Sequence, residues 1–220
     1  LSLISFYFGS KIYIKNINIK SNKIKSDVSF IFLSDVHMGS NNIKHLNKII
    51  LLLKNKSYDF LLIGGDLIDS SSFDLSSLKI IKENISCPIY FVTGNHEYYL
   101  KDSNTKIKEI NNYEINHISN NNIEVNNINL IGIDDNISKS QQIEIIKDKY
   151  SKEKFNLILI HKPSIWDQIY NECDLMLSGH THNGQIFPFN FFVRIQFKFK
   201  YGLYFFNNSK LYVSSGSGTW

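Results

Sequence analysis

The sequence predicts an α/β fold built on a largely parallel sheet. Short, continuous apolar runs alternate with stretches of helical spacing, the pattern of strand–helix–strand crossover units. Nothing rich in Gly, Pro or Ser divides the 220 residues, so a single globular unit is expected. The apolar share of 43% suits a chain of this length with a substantial core.

Each element has its own signal. Ile12, Ile14, Ile17 and Ile19 alternate roughly with polar residues and suggest an early strand. Residues 28–33 are an apolar run that reads as a buried strand. Ile43, Leu46, Ile49, Ile50 and Leu53 recur at helical spacing. Residues 60–63 form the next buried strand. Leu75, Leu78 and Ile81 suggest a second helix, and residues 89–92 a third strand. In the second half, strands are expected over 123–125, 129–133, 156–160 and 175–177, with a helix carrying Ile143, Ile146 and Tyr150. Residues 201–206 and 210–213 read as a hairpin around Asn207-Asn208.

The polar residues at the ends of these strands are not random. Asp35-Val36-His37 follows the first buried run, Gly64-Gly65-Asp66 the second and Gly94-Asn95-His96-Glu97 the third. His161 follows residues 156–160, and Gly179-His180-Thr181-His182 follows residues 175–177. In parallel α/β sheets ligands bind at the carboxyl ends of the strands. Asp, His, Asp, Asn, His, His and His form a ligand inventory for two metal ions. Mixed imidazole and carboxylate suit Mn, Fe or Zn. A pair of such ions is suited to displacement at phosphorus. A single histidine at a strand end is more often structural, but five of the seven histidines fall in these blocks. His45 and His117 are assigned to the surface or to ordinary packing. Asp134-Asp135 reads as a turn, and Asp69 as orienting a turn.

In order, D-x-H, G-D, G-N-H-E, H and G-H-x-H span residues 35–182. This set resembles the calcineurin-like metallophosphoesterase superfamily. More narrowly, Gly179 to Gln185 and the closing Gly216-Ser217-Gly218-Thr219-Trp220 resemble a bacterial branch of membrane-associated phosphohydrolases. That branch includes cell-envelope phosphodiesterases and hydrolases of UDP-2,3-diacylglucosamine. The resemblance implies two packed mixed β-sheets flanked by helices, a four-layer sandwich over residues 28–220. It also implies two divalent metal ions. Asp35, His37 and His182 would hold one ion, Asn95, His161 and His180 the other, and Asp66 would bridge them. His96 would face the phosphate, stabilising charge or protonating the leaving oxygen, and Glu97 would orient it. The substrate would be a phosphoester, lipid-linked or a nucleotide-lipid such as UDP-2,3-diacylglucosamine. Alternatives are a broader phosphodiesterase on cell-wall polymers or nucleotides, and a non-catalytic scaffold on the same fold. Scaffolds tend to lose the site histidines, which are present here.

Composition limits the partners. The formal net charge is +4 and Arg194 is the only arginine, so no basic stripe marks a nucleic-acid binder. Cys87 and Cys173 show neither metal-type spacing nor a disulfide framework. Residues 1–27 read as an N-terminal segment. Its apolar start is shorter than the roughly 20 residues a spanning helix takes. It is the tail of a membrane anchor, an edge strand or a disordered stub. If it is a tail, the lysines at 11, 15, 20, 23 and 25 place the protein on the cytoplasmic face of the inner membrane; the cell envelope is the alternative. After Gln185 an aromatic stretch carries interleaved Arg194, Lys198 and Lys200. One reading is a strand with Ile195, Phe197, Phe199 and Tyr201 in the core. The other is a patch that meets a membrane surface or acyl chain, with Phe189, Phe192 and Arg194 as candidate substrate-binding residues.

Overall fold

The computed structural model describes residues 12–183 and 197–218. Its first sheet is β1 (Phe30–Leu33), β2 (Phe60–Gly64), β3 (Ile89–Val92) and β4 (Ile115–His117), in that spatial order. All are parallel, with Phe30 opposite Phe60 and Leu61 opposite Ile89. The second sheet contains β5 (Asn121–Val125), β6 (Ile128–Ile133), β7 (Phe155–Ile160), β8 (Leu175–Ser178), β9 (Gly202–Phe206) and β10 (Ser209–Val213). Its order is β5-β6-β7-β8-β10-β9, parallel through the middle and antiparallel at both margins.

Strand periodicity explains the layering. Side chains of a strand point alternately to opposite faces. In β2, Phe60 and Leu62 point toward the second sheet and meet Leu157, Leu159, Leu175 and Leu177. Leu61 and Ile63 point the other way, into a core shared with α1 (Ile43–Leu53) and α2 (Lys79–Asn84). In β7, Leu157 and Leu159 face inward, while Ile158 and Ile160 pack outward against Ile146, Trp166 and Ile169. Those last residues lie on α5 (Lys139–Lys149) and α6 (Trp166–Ile169). Two more helices, α3 (Asn95–Tyr99) and α4 (Ser103–Ile110), connect β3 to β4. The central strands β2, β6, β7 and β8 are buried along their whole length, so their runs are continuous rather than alternating. The result is the helix–sheet–sheet–helix sandwich that was expected.

Local signals set the helix starts. The Asn42 side chain accepts from Lys44 N–H ahead of α1, whose Leu46, Ile49, Ile50 and Leu53 are buried. Ser138 and Gln141 form a reciprocal capping box ahead of α5. The second expected helix is split: residues Leu75–Leu78 are a 3-10 turn that leads into α2.

Two expectations change. Residues 12–20 form no strand. The apolar positions switch parity between Ile14 and Ile17, so no single strand face would bury all four isoleucines. Phe199 is buried against Trp166 and Tyr204, but Tyr201 is 40% exposed instead of lying in the core. A tight turn at Lys200 and Tyr201, whose amides both donate to the Tyr204 hydroxyl, takes Tyr201 out of the alternation. No helix among the described residues is long and apolar enough to cross a membrane.

Candidate metal centre

Parallel strands deliver their carboxyl ends to one edge of the sandwich, and the polar blocks meet there. Asp35 and His37 follow β1, Asp66 follows β2, Asn95 and His96 follow β3, His161 follows β7, and His180 and His182 follow β8. The backbone must bend sharply to aim these side chains inward. Asp35, His37, Asp66, His180 and His182 all have left-handed backbone, with φ between 47° and 72°. Residues held there cost on the order of 1–3 kcal/mol each and concentrate at functional sites. Two glycines make room for carboxylates. A Cβ on Gly94 would overlap Asp66 Oδ1, and one on Gly179 would overlap Asp35 Oδ2.

The side chains converge on Asp66. His161 Nε2 is 3.1 Å from Asp66 Oδ2, His37 Nε2 is 3.8 Å and His96 Nε2 is 4.0 Å from the same oxygen. His182 Nε2 lies 3.0 Å from His37 Nε2 and 3.4 Å from Asp35 Oδ1. His180 Nδ1 lies 3.2 Å from His161 Nε2. Asp35, His37, Asp66 and His161 are buried, while His96 and His180 are partly open. Donor atoms come together as three overlapping groups: Asp35/His37/His182, His37/Asp66/His96 and Asp35/Asp66/His161. The Asn95 carboxamide oxygen is also buried, with no hydrogen-bond partner.

These features fit a bound cation. Imidazole nitrogens face one another at hydrogen-bond distance, two buried carboxylates stand among them, and a neutral oxygen is left without a donor. Burial alone would favour protonation of Asp66, yet the His161 charge and hydrogen bond hold its pKa below the usual carboxylate range. Burial should likewise lower the pKa of His161, but Asp66 and Asp35 push it up to about 10. Burial and the charges of His161 and Lys162 press His180 down to about 3. Burial also lowers the pKa of His182, so His180 and His182 stay neutral, the form in which imidazole binds metal.

Outer groups orient this cluster. Asp69 Oδ1 accepts from Ser40 N–H at 2.9 Å, and Oδ2 lies 3.2 Å from His37 Nδ1. Against the effect of burial, these contacts hold Asp69 down to about 2. A carboxylate behind the ring fixes its tautomer and direction. Glu97 acts differently from the expectation that it orients the His96 ring. Its oxygens accept from the amides of Asp66, Leu67, Ile68 and Gly94 at 2.6–3.1 Å. It thereby ties the Asp66 loop to the start of α3. Burial, reinforced by the Asp66 charge, raises it to about 7. The Asp66 carboxylate in turn accepts from His96 N–H at 2.9 Å.

Several contributors were hidden in the sequence. Asp134 is buried and accepts from Thr93 N–H at 3.0 Å and from Ser119 Oγ at 2.9 Å; it also meets His117 Nε2 at 2.8 Å. It ties β6 to β3 and β4, two residues before Asn95. His45 Nε2 donates to the Ser217 carbonyl at 2.7 Å. The amides of Ser217 and Gly218 donate to the carbonyls of Ser34 and Asp35. The closing glycine-rich block thus lies against the first ligand loop. Lys162 pairs with Asp135 at 2.6 Å. Tyr99 is 74% exposed, with its ring 5.4 Å from that of His96. Each is a contact between residues remote in sequence or at a loop surface, which periodicity does not mark. Phe189, Phe192 and Arg194 lie outside the described residues.

Comparison with known proteins agrees with this geometry. Residues 28–184 match the model of the calcineurin-like phosphoesterases. The chain is 34% identical over 224 residues to an uncharacterized metallophosphoesterase of Campylobacter jejuni, covering 94% of the chain and 58% of that protein. It is 32% identical over 227 residues to one of Helicobacter pylori, covering 98% and 61%. A Staphylococcus aureus structure provisionally assigned as a 5′-nucleotidase shares the fold, with a TM-score of 0.56 at 12% identity, over 88% of this chain and 49% of that one. The fold is that of a phosphoesterase domain, and the cluster offers side chains that could hold a metal ion. The chain belongs to the calcineurin-like phosphoesterase family, and it spans about three fifths of the length of the curated relatives it matches.

Proposed function

We propose that this protein hydrolyses a phosphoester at a centre of two divalent ions, with Mn, Fe and Zn all suited to the ligands. The carrying observation is the convergence of Asp35, His37 and His161 on the central Asp66 carboxylate, with His182 against Asp35 and His37 and the unpartnered Asn95 oxygen beside them. Asp35, His37 and His182 would hold one ion, Asn95, His161 and His180 the other, and Asp66 both. Bound there, the ions supply Lewis acidity toward phosphate oxygens and make water a nucleophile near neutral pH.

The chain's own residues do the rest. Asp69 fixes the His37 ring, and Glu97 fixes the loop that carries Asp66. Burial lowers the pKa of the half-buried His96, which keeps its imidazole neutral near pH 7. From the mouth of the cluster, this ring donates a hydrogen bond to a phosphate oxygen or to the departing oxygen. The Lys162 ammonium, held by Asp135 beside His180, adds positive charge where an anionic substrate enters.

The substrate in this reading is a lipid-linked or nucleotide-lipid envelope intermediate, with UDP-2,3-diacylglucosamine the specific candidate. It would be met at a membrane, on the cytoplasmic face or in the envelope. Support comes from exposed aromatics, Tyr13, Tyr201, Phe205 and Phe206, and from Lys15 stacked over Tyr201. One observation favours a second reading, a broader phosphodiesterase on nucleotides: the exposed Tyr99 ring beside His96 offers a stacking surface for a base. Hydrolysis of UDP-2,3-diacylglucosamine beside a soluble aryl phosphodiester, with Mn, Fe or Zn and with chelator, separates the two. Metal-dependent turnover of the lipid alone supports the first, and turnover of the soluble ester alone the second. Failure to turn over either with any of the three metals overturns both.

A further inference from the structure

The turn that carries Asp35 and His37 is gripped from two sides. On one side, the Asp35 and His37 amides donate to the carbonyls of Gly65 and Asp66 at 3.0 and 2.9 Å. On the other, the carbonyls of Ser34 and Asp35 accept from the amides of Ser217 and Gly218 at 2.7 and 2.8 Å. This second grip is closely fitted. A Cβ on Gly218 would overlap the carbonyl oxygens of Val36 and Asp35, so glycine is what lets the two chains approach. Gly216, left-handed at φ 89°, passes the other side of the cluster. A Cβ there would lie 3.1 Å from His182 Nδ1 and 3.2 Å from Asp35 Cβ. One loop thus abuts Asp35 and His182, two of the three side chains in the Asp35/His37/His182 group. The loop in turn is held by His45, whose Nε2 donates to the Ser217 carbonyl at 2.7 Å. His45 stands in the first turn of α1, which the Asn42 cap and the buried Leu46 and Ile49 fix in place.

We propose that His45 is a positioning residue for the ion held by Asp35, His37 and His182, and that it acts through the 216–218 loop. This rests on reading the cluster as a two-ion centre. Asp35 and His37 sit on left-handed backbone at φ 53° and 52°. Such conformations persist only where surrounding contacts over-determine them. Without the His45 bond, the Ser217 carbonyl is released. The two amides that hold Ser34 and Asp35 are then no longer fixed to α1. The Asp35 carboxylate and the His182 ring, 3.4 Å apart, lose the loop that sets their separation. The ligands of the other ion are set elsewhere. His161 Nδ1 donates to the Gly64 carbonyl at 2.9 Å, and Asn95 opens α3. The effect of His45 therefore falls on one ion of the pair.

The test is calorimetric titration of the metal-free protein with Mn, comparing wild type with His45→Ala and His45→Gln. His45→Ala should weaken one of two binding events about 10- to 100-fold and leave the other unchanged. His45→Gln, whose carboxamide can donate to the same carbonyl, should recover most of the loss. Gly218→Ala, which forces the loop off the Val36 carbonyl, should weaken the same event by a second route. Unchanged binding in His45→Ala, equal weakening of both events, or no recovery by glutamine overturns the proposal. Amide exchange in the metal-free protein keeps the two readings distinguishable. His45→Ala should speed exchange at His180, whose N–H donates to the Asp35 carboxylate at 3.0 Å. Exchange at Thr93, which donates to Asp134, should not change. If the wild type binds no Mn, faster exchange at His180 still supports the positioning of Asp35 while the two-ion reading fails. Unchanged exchange at His180 overturns the positioning whatever the metal does.

Discussion

Asp66 and Asp134 are both buried, both follow a strand, and both meet histidine, yet they do opposite things. Asp134 is saturated: amide, hydroxyl and imidazole groups reach it at 2.8–3.0 Å in ordinary hydrogen bonds. Around Asp66, three imidazoles approach one oxygen at 3.1, 3.8 and 4.0 Å, and Asn95 Oδ1 is left without a donor. The backbone repeats the contrast. Asp66 and four other residues of the cluster are left-handed, and Asp134 is not. Residue type does not distinguish a candidate metal centre from a structural joint; completeness of hydrogen bonding does.

Substitutions that separate the two aspartates test this contrast. The largest effect is expected for Asp66→Asn, which removes the shared charge. Turnover of a phosphodiester should fall about 10³-fold or more, several kcal/mol of transition-state stabilisation. The rise in Tm on adding Mn to the wild type should shrink or vanish. An Asp66→Asn protein with unchanged metal-dependent melting would break the comparison. His96→Ala is expected to cost about 10²-fold in kcat, with bound metal, measured by elemental analysis, unchanged.

Asp134→Ala should do the reverse. Leaving the Thr93 amide and His117 without their acceptor costs about 2–3 kcal/mol, roughly 5–10 °C in Tm for a domain of this size, while metal stoichiometry persists. Acid should resolve the same joint. Burial opposes ionisation of Asp134, but His117 and Thr93 outweigh it and hold its folded pKa below the usual carboxylate range. Its contribution is therefore complete above the unfolded pKa and is lost as pH falls through the folded one. Acid unfolding followed by circular dichroism should be steeper below about pH 4 in the wild type than in Asp134→Asn. The smallest effect belongs to the exposed Lys198–Asp167 pair. Lys198→Ala should shift stability by under about 0.5 kcal/mol, and a larger loss would mean the aromatic segment is anchored there.

The sequence showed most where one physical rule dominates. β2 and β7 are apolar on both faces because both faces are covered, and α1 repeats at 3.6 residues because one stripe is. The polar blocks were readable because parallel strands present their ends together. Other features needed the tertiary structure. The 3-residue β4 and the lysine-rich α4 carry little periodic signal. The isoleucines of 12–19 imitate a strand and line a cavity instead. Asp134 reaches Thr93 across 41 residues, a distance no local pattern spans. The Glu97 position followed from its motif, but its engagement by four amides is a property of the folded loop.

The left-handed residues of the proposed metal centre carry a consequence for evolution. At 35, 37, 66, 180 and 182, glycine would relax the backbone while erasing the donor atom. Selection for heat resistance alone would thus drift toward glycine at these five places. Selection for turnover would hold aspartate and histidine there at a standing loss of stability. In a library of random variants, those positions are where the fittest folder and the fittest catalyst part company.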